Sequence, residues 1–175
     1  TTGAFSGTGC TAASSWECGA LSGWAAPPAS GSNCIGTDLS SYYSNSECSY
    51  MRSPMIDLSP CVGTPVYLVF EVAVSNESEA SSCKDGLVVR MDGGGGTWPV
   101  AQPDPGYDMA LSNPKHLPGG QWAFCGLEHD WETNSALVDD ALKTDNFQVG
   151  FHFESDGGYP WNGSYVDDVR LSLSP

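Results

Sequence analysis

The strongest alternation of apolar and polar side chains runs from Asn146 to Ser155, where Phe147, Val149, Phe151 and Phe153 interleave with Gln148, Gly150, His152 and Glu154. A repeat of two is that of a strand with one face in a core, so the phenylalanines are expected inward and His152 outward in solvent. A second run, Val66 to Val74, sets Leu68, Phe70, Val72 and Val74 on one face and Tyr67, Val69, Glu71 and Ala73 on the other. Apolar character on both faces predicts a central strand. Asp85-Gly86 opens a third, Leu87 to Met91, which Asp92 and the glycines Gly93 to Gly96 bring to an end as a flexible hairpin tip.

The last strand, Ser164 to Leu173, places Tyr165, Asp167, Val169, Leu171 and Leu173 on one face and Val166, Asp168, Arg170 and Ser172 on the other. Asp167 is therefore expected on the apolar side. Leu137 to Leu142 fits either a short helix after Asn134 or Ser135, or a strand. Trp98-Pro99, Pro103, Pro105 and Gly106 keep the stretch up to Tyr107 irregular. Many short strands separated by turns, in 175 residues with 21 glycines and 12 prolines, point to one all-β domain with a two-layer core. Residues 1–15, rich in Thr, Gly, Ala and Ser, read as a linker or N-terminal arm, and 16–175 as the domain.

Charge and cysteines narrow the setting. Six Lys and Arg against 21 Asp and Glu leave a net charge of −15, a field that repels nucleic acid and anionic membrane surfaces. The same charge keeps an extracellular protein soluble and suits divalent cations. Seven cysteines with no C-x-x-C pair favour disulfides in an oxidising compartment, and the odd number leaves at least one thiol without an internal partner. No apolar stretch has the length of a membrane span, so direct membrane insertion is not expected, and no signal peptide is present in the chain.

Several segments, taken in order, resemble MAM-like jelly-roll modules. These are Trp16-Glu17-Cys18-Gly19, then Ser30 to Leu39 with Tyr43, and Ser53-Pro54-Met55-Ile56-Asp57-Leu58. Asp85-Gly86, Thr97-Trp98, Gly106-Tyr107, Gly120-Gln121-Trp122, Phe151 to Asp156 and Gly163 to Val169 continue the likeness, which covers most of Trp16 to Leu173. Such modules occur in bacterial secreted proteins, including the accessory region of immune inhibitor A-type metallopeptidases. The resemblance implies a two-sheet antiparallel β-sandwich of jelly-roll topology with long loops. It also implies a stabilising cation and a place beside a catalytic or anchoring domain. The cysteine content and the long stretch from Leu127 to Asp145 depart from simpler members.

Candidate chemistry begins with Asp167-Asp168. A carboxylate on an apolar face costs several kcal/mol unless hydrogen-bonded or bound to metal, so Asp167 calls for a partner. A structural calcium ion would supply one, with Asp156, Asp85, Glu71 and Asp168 as further oxygen ligands. Asp156 comes close to the last strand if the final two strands form a hairpin around Gly157 to Gly163. In the alternative, Asp167 accepts bonds from backbone N–H groups or a tyrosine, and Asp168 pairs with Arg170. The glycine run after Asp92 lacks the ligand pattern of an EF-hand and the lysine of a phosphate-binding loop.

His116, His129 and His152 stand in unrelated contexts with no metalloprotease spacing, and no G-x-S-x-G elbow occurs. Glu128, Asp130 and Glu132 near Trp131 are the one cluster a glycosidase would use, but acid clusters arise readily in so acidic a chain. Trp131, Tyr159 and Trp161 lie in polar or Gly-rich loops and offer flat apolar faces to a sugar ring or a peptide, or else fold back as caps. The expectation is a secreted or cell-surface, non-catalytic module. Its partner would be a carbohydrate, an extracellular protein or an attached catalytic domain. The rivals are a supporting domain of a secreted metallopeptidase and, last, a free-standing hydrolase.

Overall fold

A computed structural model describes residues 1–4, 13–22, 27–127 and 130–175. Among the described residues thirteen strands follow in chain order: β1 (Thr2–Ala4), β2 (Trp16–Gly19), β3 (Cys34–Thr37), β4 (Cys48–Arg52), β5 (Tyr67–Ser75), β6 (Ser78–Glu79), β7 (Ser82–Cys83), β8 (Gly86–Asp92), β9 (Met109–Ala110), β10 (Trp122–Ala123), β11 (Glu132–Leu137), β12 (Gln148–Glu154) and β13 (Gly163–Ser172). Two 3-10 turns, Ser59–Cys61 and Asp140–Leu142, complete the regular elements. The stretch that fitted helix or strand contains both a strand end, at Leu137, and the second of these turns.

One sheet has the order β11-β5-β13-β3-β2 and the other β1-β4-β12-β8. An antiparallel bridge from Leu87 to Phe124 carries the second sheet on from β8 to the β10 segment. The pairs β3/β13 and β5/β11 thus stack on β4/β12 and β8/β10, and the chain changes sheet at nearly every connection, which is the jelly-roll path. Strand β5 lies between β11 and β13, as its two apolar faces require.

The core between the sheets is filled by alternate residues of both. Leu68, Phe70, Val72 and Val74 of β5 meet Leu87, Val89 and Met91 of β8 and the four phenylalanine and valine side chains of the β12 run. Phe70 packs edge-on against Phe151 and Phe124, with ring centroids 5.7 and 6.0 Å apart. Each of these rings buries enough apolar surface that truncation to alanine costs about 3–5 kcal/mol.

Both outer faces are covered in part. On the first sheet Tyr165 lies across Gly36, where a Cβ would clash with its ring, and joins Cys34 and Leu39 in a small cluster. On the second, the long excursion from β8 to β10 folds back over the sheet and forms a cluster of Val88, Leu111, Leu117 and Ala123 with the Cys83–Cys125 disulfide. Trp98 sits over Gly150, and the Arg52 guanidinium stacks 3.9 Å from the Tyr50 ring and 4.5 Å from the Trp98 ring.

This cover overturns the expectation for His152. The side chain is on the outer face, but it is only 1 % exposed because the excursion lies over it. Its Nε2 lies 3.0 Å from Glu154 Oε1. The Glu154 carboxylate in turn accepts the backbone N–H groups of Lys115 and His116 at 2.6 and 2.8 Å. Burial holds the His152 pKa below its ordinary value.

Two further expectations change. β12 and β13 belong to different sheets, so the segment between them is a crossing at one end of the sandwich and not a hairpin. Strand β13 carries a register shift between Asp167 and Arg170. Val166 before it and Leu171 after it both face the core, an odd interval that a regular strand does not allow. Asp167 and Tyr165 therefore share the outer face.

Of the N-terminal stretch, Thr2–Ala4 pairs with β4 at the sheet edge. Cys48 is disulfide-bonded, Cys18, Cys34 and Cys61 are free thiols, and Cys10 lies outside the described residues. Burial pushes the Cys34 thiol up to about 11, with Asp167 and Cys18 adding to it. Among the described residues no helix is long and apolar enough to cross a membrane.

Candidate functional site

At the end of the sandwich where β5 and β12 finish and β8 begins, three carboxylates converge. Glu77 follows β5, Asp85 precedes β8 and Asp156 follows β12, and their ligand atoms all lie within 4.8 Å of one another. Local folding explains two of the three. The β6/β7 hairpin is closed by Lys84 N and Asp85 N donating to Glu77 O at 3.0 and 3.3 Å, which sets Glu77 and Asp85 side by side at its base. The Cys83–Cys125 disulfide, across 42 residues, clips this hairpin to the chain beyond β10.

Asp85 is the buried member, 1 % exposed. Its Oδ2 accepts the Tyr43 hydroxyl at 2.5 Å and its Oδ1 accepts Asp156 N at 2.7 Å. Tyr43 is fixed by packing edge-on against Phe153, with ring centroids 4.9 Å apart, and its oxygen accepts Glu77 N at 3.1 Å. Burial raises the Asp85 carboxyl to about 7; the Tyr43 and Asp156 hydrogen bonds oppose the rise, and the neighbouring Asp156 and Glu77 charges add to it. Burial and the Asp85 carboxylate push the Tyr43 phenol well above its usual range.

The same carboxylates organise the crossing segment. Asp156 Oδ1 accepts Gly158 N at 2.5 Å and Glu77 Oε2 accepts Tyr159 N at 3.0 Å. Gly158 sits tight against both carboxylates: a Cβ there would come within 2.7 Å of Asp156 Oδ1 and Glu77 Oε2, which would have to shift. Tyr43 N donates to Trp161 O at 3.2 Å, which ties the far side of the segment to the same tyrosine. Tyr159, 77 % exposed, and Trp161, 37 % exposed, are presented to solvent by this arrangement.

Three acidic groups that repel one another, one of them buried and raised in pKa, form a set of hard oxygen donors that fits a metal ion. Of the five acids that the sequence suggested, the structure brings Asp85 and Asp156 into this group. Glu71 and Asp167 lie opposite each other in the β5/β13 register. Asp167 accepts Ser30 N at 3.0 Å and Asp168 N at 2.8 Å, Asp168 accepts Ser30 Oγ at 2.6 Å, and Glu71 accepts Thr133 Oγ1 at 2.5 Å. Glu77 and Tyr43 are what the sequence reading missed. The chain carries only a partial signal for Glu77: Asn76-Glu77 ends the β5 run and the segment to Asp85 is short and polar, but nothing in it says that the hairpin closes.

Among the three proposed contact aromatics, Tyr159 and Trp161 share the crossing segment and Trp131 stands apart. Trp131 Nε1 donates to Pro27 O at 2.6 Å, and its ring packs against the Cys34, Leu39 and Tyr165 cluster. Asp130, Trp131 and Glu132 line a cavity of about 310 Å³ with Asp108. Glu128 and His129 lie outside the described residues.

No family model and no curated protein matches the chain. Among solved structures it is similar to the K2 cleaved adhesin domain of Lys-gingipain, with a TM-score of 0.50 and 15 % identity over 98 % of this chain and 87 % of that one. It is also similar to SGBP-B from a complex xyloglucan utilization locus in Bacteroides uniformis, with a TM-score of 0.40 and 14 % identity. That match covers 90 % of this chain and 45 % of the other. At these identities the likeness to the adhesin domain is one of fold.

Proposed function

We propose that the chain is a secreted, non-catalytic binding module in which a calcium ion held by Glu77, Asp85 and Asp156 braces a ligand-contacting segment bearing Tyr159 and Trp161. The ligand class is carbohydrate or extracellular protein. The observation that carries this reading is the shared hydrogen-bonding of the two features: the carboxylates that fit a cation are the acceptors that fix the backbone at Gly158 and Tyr159. A bound cation offsets the mutual repulsion of the three acids and so favours the one conformation that shows both aromatic rings to solvent. Exposed aromatic side chains on a braced segment suit a flat sugar face or an apolar patch of a partner.

A second reading has support of its own. The fold shared with an adhesin domain of Lys-gingipain, and the sequence resemblance to MAM-like accessory modules, favour a domain that works beside a larger secreted protein.

The reading is tested by binding of the purified protein to an array of glycans and extracellular-matrix proteins, in calcium and in chelator. Ligand capture should weaken at least tenfold in chelator and in both Tyr159→Ala and Trp161→Ala. Capture that is indifferent to both substitutions refutes the assigned surface.

A further inference from the structure

Beside the crossing segment lies a cleft of about 230 Å³ lined by Ser22, Ser40, Ser41, Tyr42, Asn162 and Tyr165. Its chemistry is unusual for this chain. With 21 acidic side chains in 175 residues, a surface cleft with no charged side chain among its described lining residues stands out. The nearest acid in sequence, Asp38, is engaged with the backbone, where its Oδ1 accepts Ser40 N and Ser41 N at 3.2 and 2.8 Å and shapes the turn that forms one wall.

The lining is polar, and part of it is uncommitted. Ser41 Oγ, Tyr42 OH and Asn162 Oδ1 have no hydrogen-bond partner among the described residues. The opposite wall is rigid by comparison. Asn162 Nδ2 donates to Ser75 Oγ at 3.3 Å, and Tyr165 OH donates to Asn162 O at 2.7 Å. Tyr42 is 60 % exposed, and the adjacent Tyr43 N is bonded to Trp161 O, so the cleft opens next to the aromatic segment.

We infer that this cleft is a subsite for a neutral sugar residue, held by hydrogen bonds from Ser41, Tyr42 and Asn162 to its hydroxyl groups. The inference rests on the binding role proposed above and narrows its ligand to an uncharged glycan. Hydroxyl and amide groups both donate and accept, which matches vicinal sugar hydroxyls. No charged side chain is among the described lining residues to pair with a charged ligand, and an acidic ligand would in addition enter a field of net charge −15. A site built to bond hydroxyls discriminates strongly because each unmet group is left desolvated.

The experiment is titration calorimetry with neutral cello-, xylo-, manno- and galacto-oligosaccharides, with oligogalacturonate as the charged control. It uses wild-type protein, the double substitution Ser41→Ala/Tyr42→Phe, and Tyr159→Ala. Removing two surface hydroxyls leaves all packing in place, and a thermal melt equal to wild type checks this. At least one neutral oligosaccharide should bind, at least tenfold more weakly to the double variant, and more tightly than oligogalacturonate. If Tyr159→Ala weakens sugar binding and the double variant does not, the subsite is wrong and the binding role stands. If oligogalacturonate binds best, or if no neutral oligosaccharide binds while the array of glycans and matrix proteins captures a protein ligand, the neutral-sugar assignment is wrong. If neither the calorimetry nor that array shows binding, both fall.

Discussion

The two ends of the sandwich handle acidic groups in opposite ways. At the end formed by the turns Ser59–Cys61 and Asp140–Leu142, the Asp140 carboxylate meets the Lys143 ammonium at 2.5 Å and accepts Gly63 N at 3.3 Å. Lys143 is buried and also donates to Thr64 O at 2.6 Å. The lysine holds the Asp140 carboxyl below its ordinary pKa. At the other end Glu77, Asp85 and Asp156 converge with backbone N–H groups and one tyrosine hydroxyl as partners, and Lys84 pairs with Glu79 at 3.1 Å. Burial there pushes Asp85 the other way, up to about 7. One end holds its acid against a buried lysine; the other gathers three carboxylates that could hold a metal ion.

The largest effect that separates the ends should come from the disulfide. Replacing Cys83 and Cys125 together by alanine frees a loop of 42 residues, which chain entropy values at about 4 kcal/mol. Chemical denaturation should show that loss, and calcium should protect the variant less than wild type, because the hairpin carrying Asp85 is no longer clipped. Next is Lys143→Met, expected to cost about 1–3 kcal/mol through the lost charged hydrogen bonds. Its calcium response should equal that of wild type; a diminished response would mean that the two ends are coupled.

Gly158→Ala should act at the acidic end alone. Its Cβ would crowd Asp156 and Glu77, so calcium affinity by calorimetry should fall about tenfold, equivalent to about 1.4 kcal/mol. An unchanged affinity would place the cation away from these two oxygens. The smallest effect is on pH. In chelator, a carboxyl raised from 3.8 in the unfolded chain to about 7 contributes stability that is fully present below pH 3.8 and lost as pH rises through 7. Wild type should therefore lose more melting temperature between pH 5 and 8 than Asp85→Asn does. Equal losses would show that Asp85 is not the group responsible.

The main strands were legible because their patterns are local. β12 and β5 follow from their face patterns, β8 from the Asp85-Gly86 opening and the glycine run that ends it, and the jelly-roll arrangement from ordered motifs such as Trp98 and Gly163 to Val169. What alternation cannot show is cover and crossing. His152 reads as exposed because a strand pattern says which face a residue takes and not what lies over that face; the excursion that buries it is irregular and distant in sequence. The bulge in β13 inverts the facing of later residues without a glycine or proline to announce it. Asp85 and Asp156 were visible as acids at strand ends. Glu77 was not, since its place beside them depends on a two-residue-strand hairpin closing and on β5 and β12 ending at the same level of different sheets.

Whether the acidic end takes a cation is decided by thermal unfolding of wild type and Asp85→Asn in calcium and in chelator. A cation bound only by the folded chain at a hundred times its dissociation constant adds about 2.7 kcal/mol, so the wild-type melting temperature should rise clearly in calcium and that of Asp85→Asn should not. A wild-type curve that is the same in calcium and in chelator, or an increase that survives in Asp85→Asn, would contradict the account.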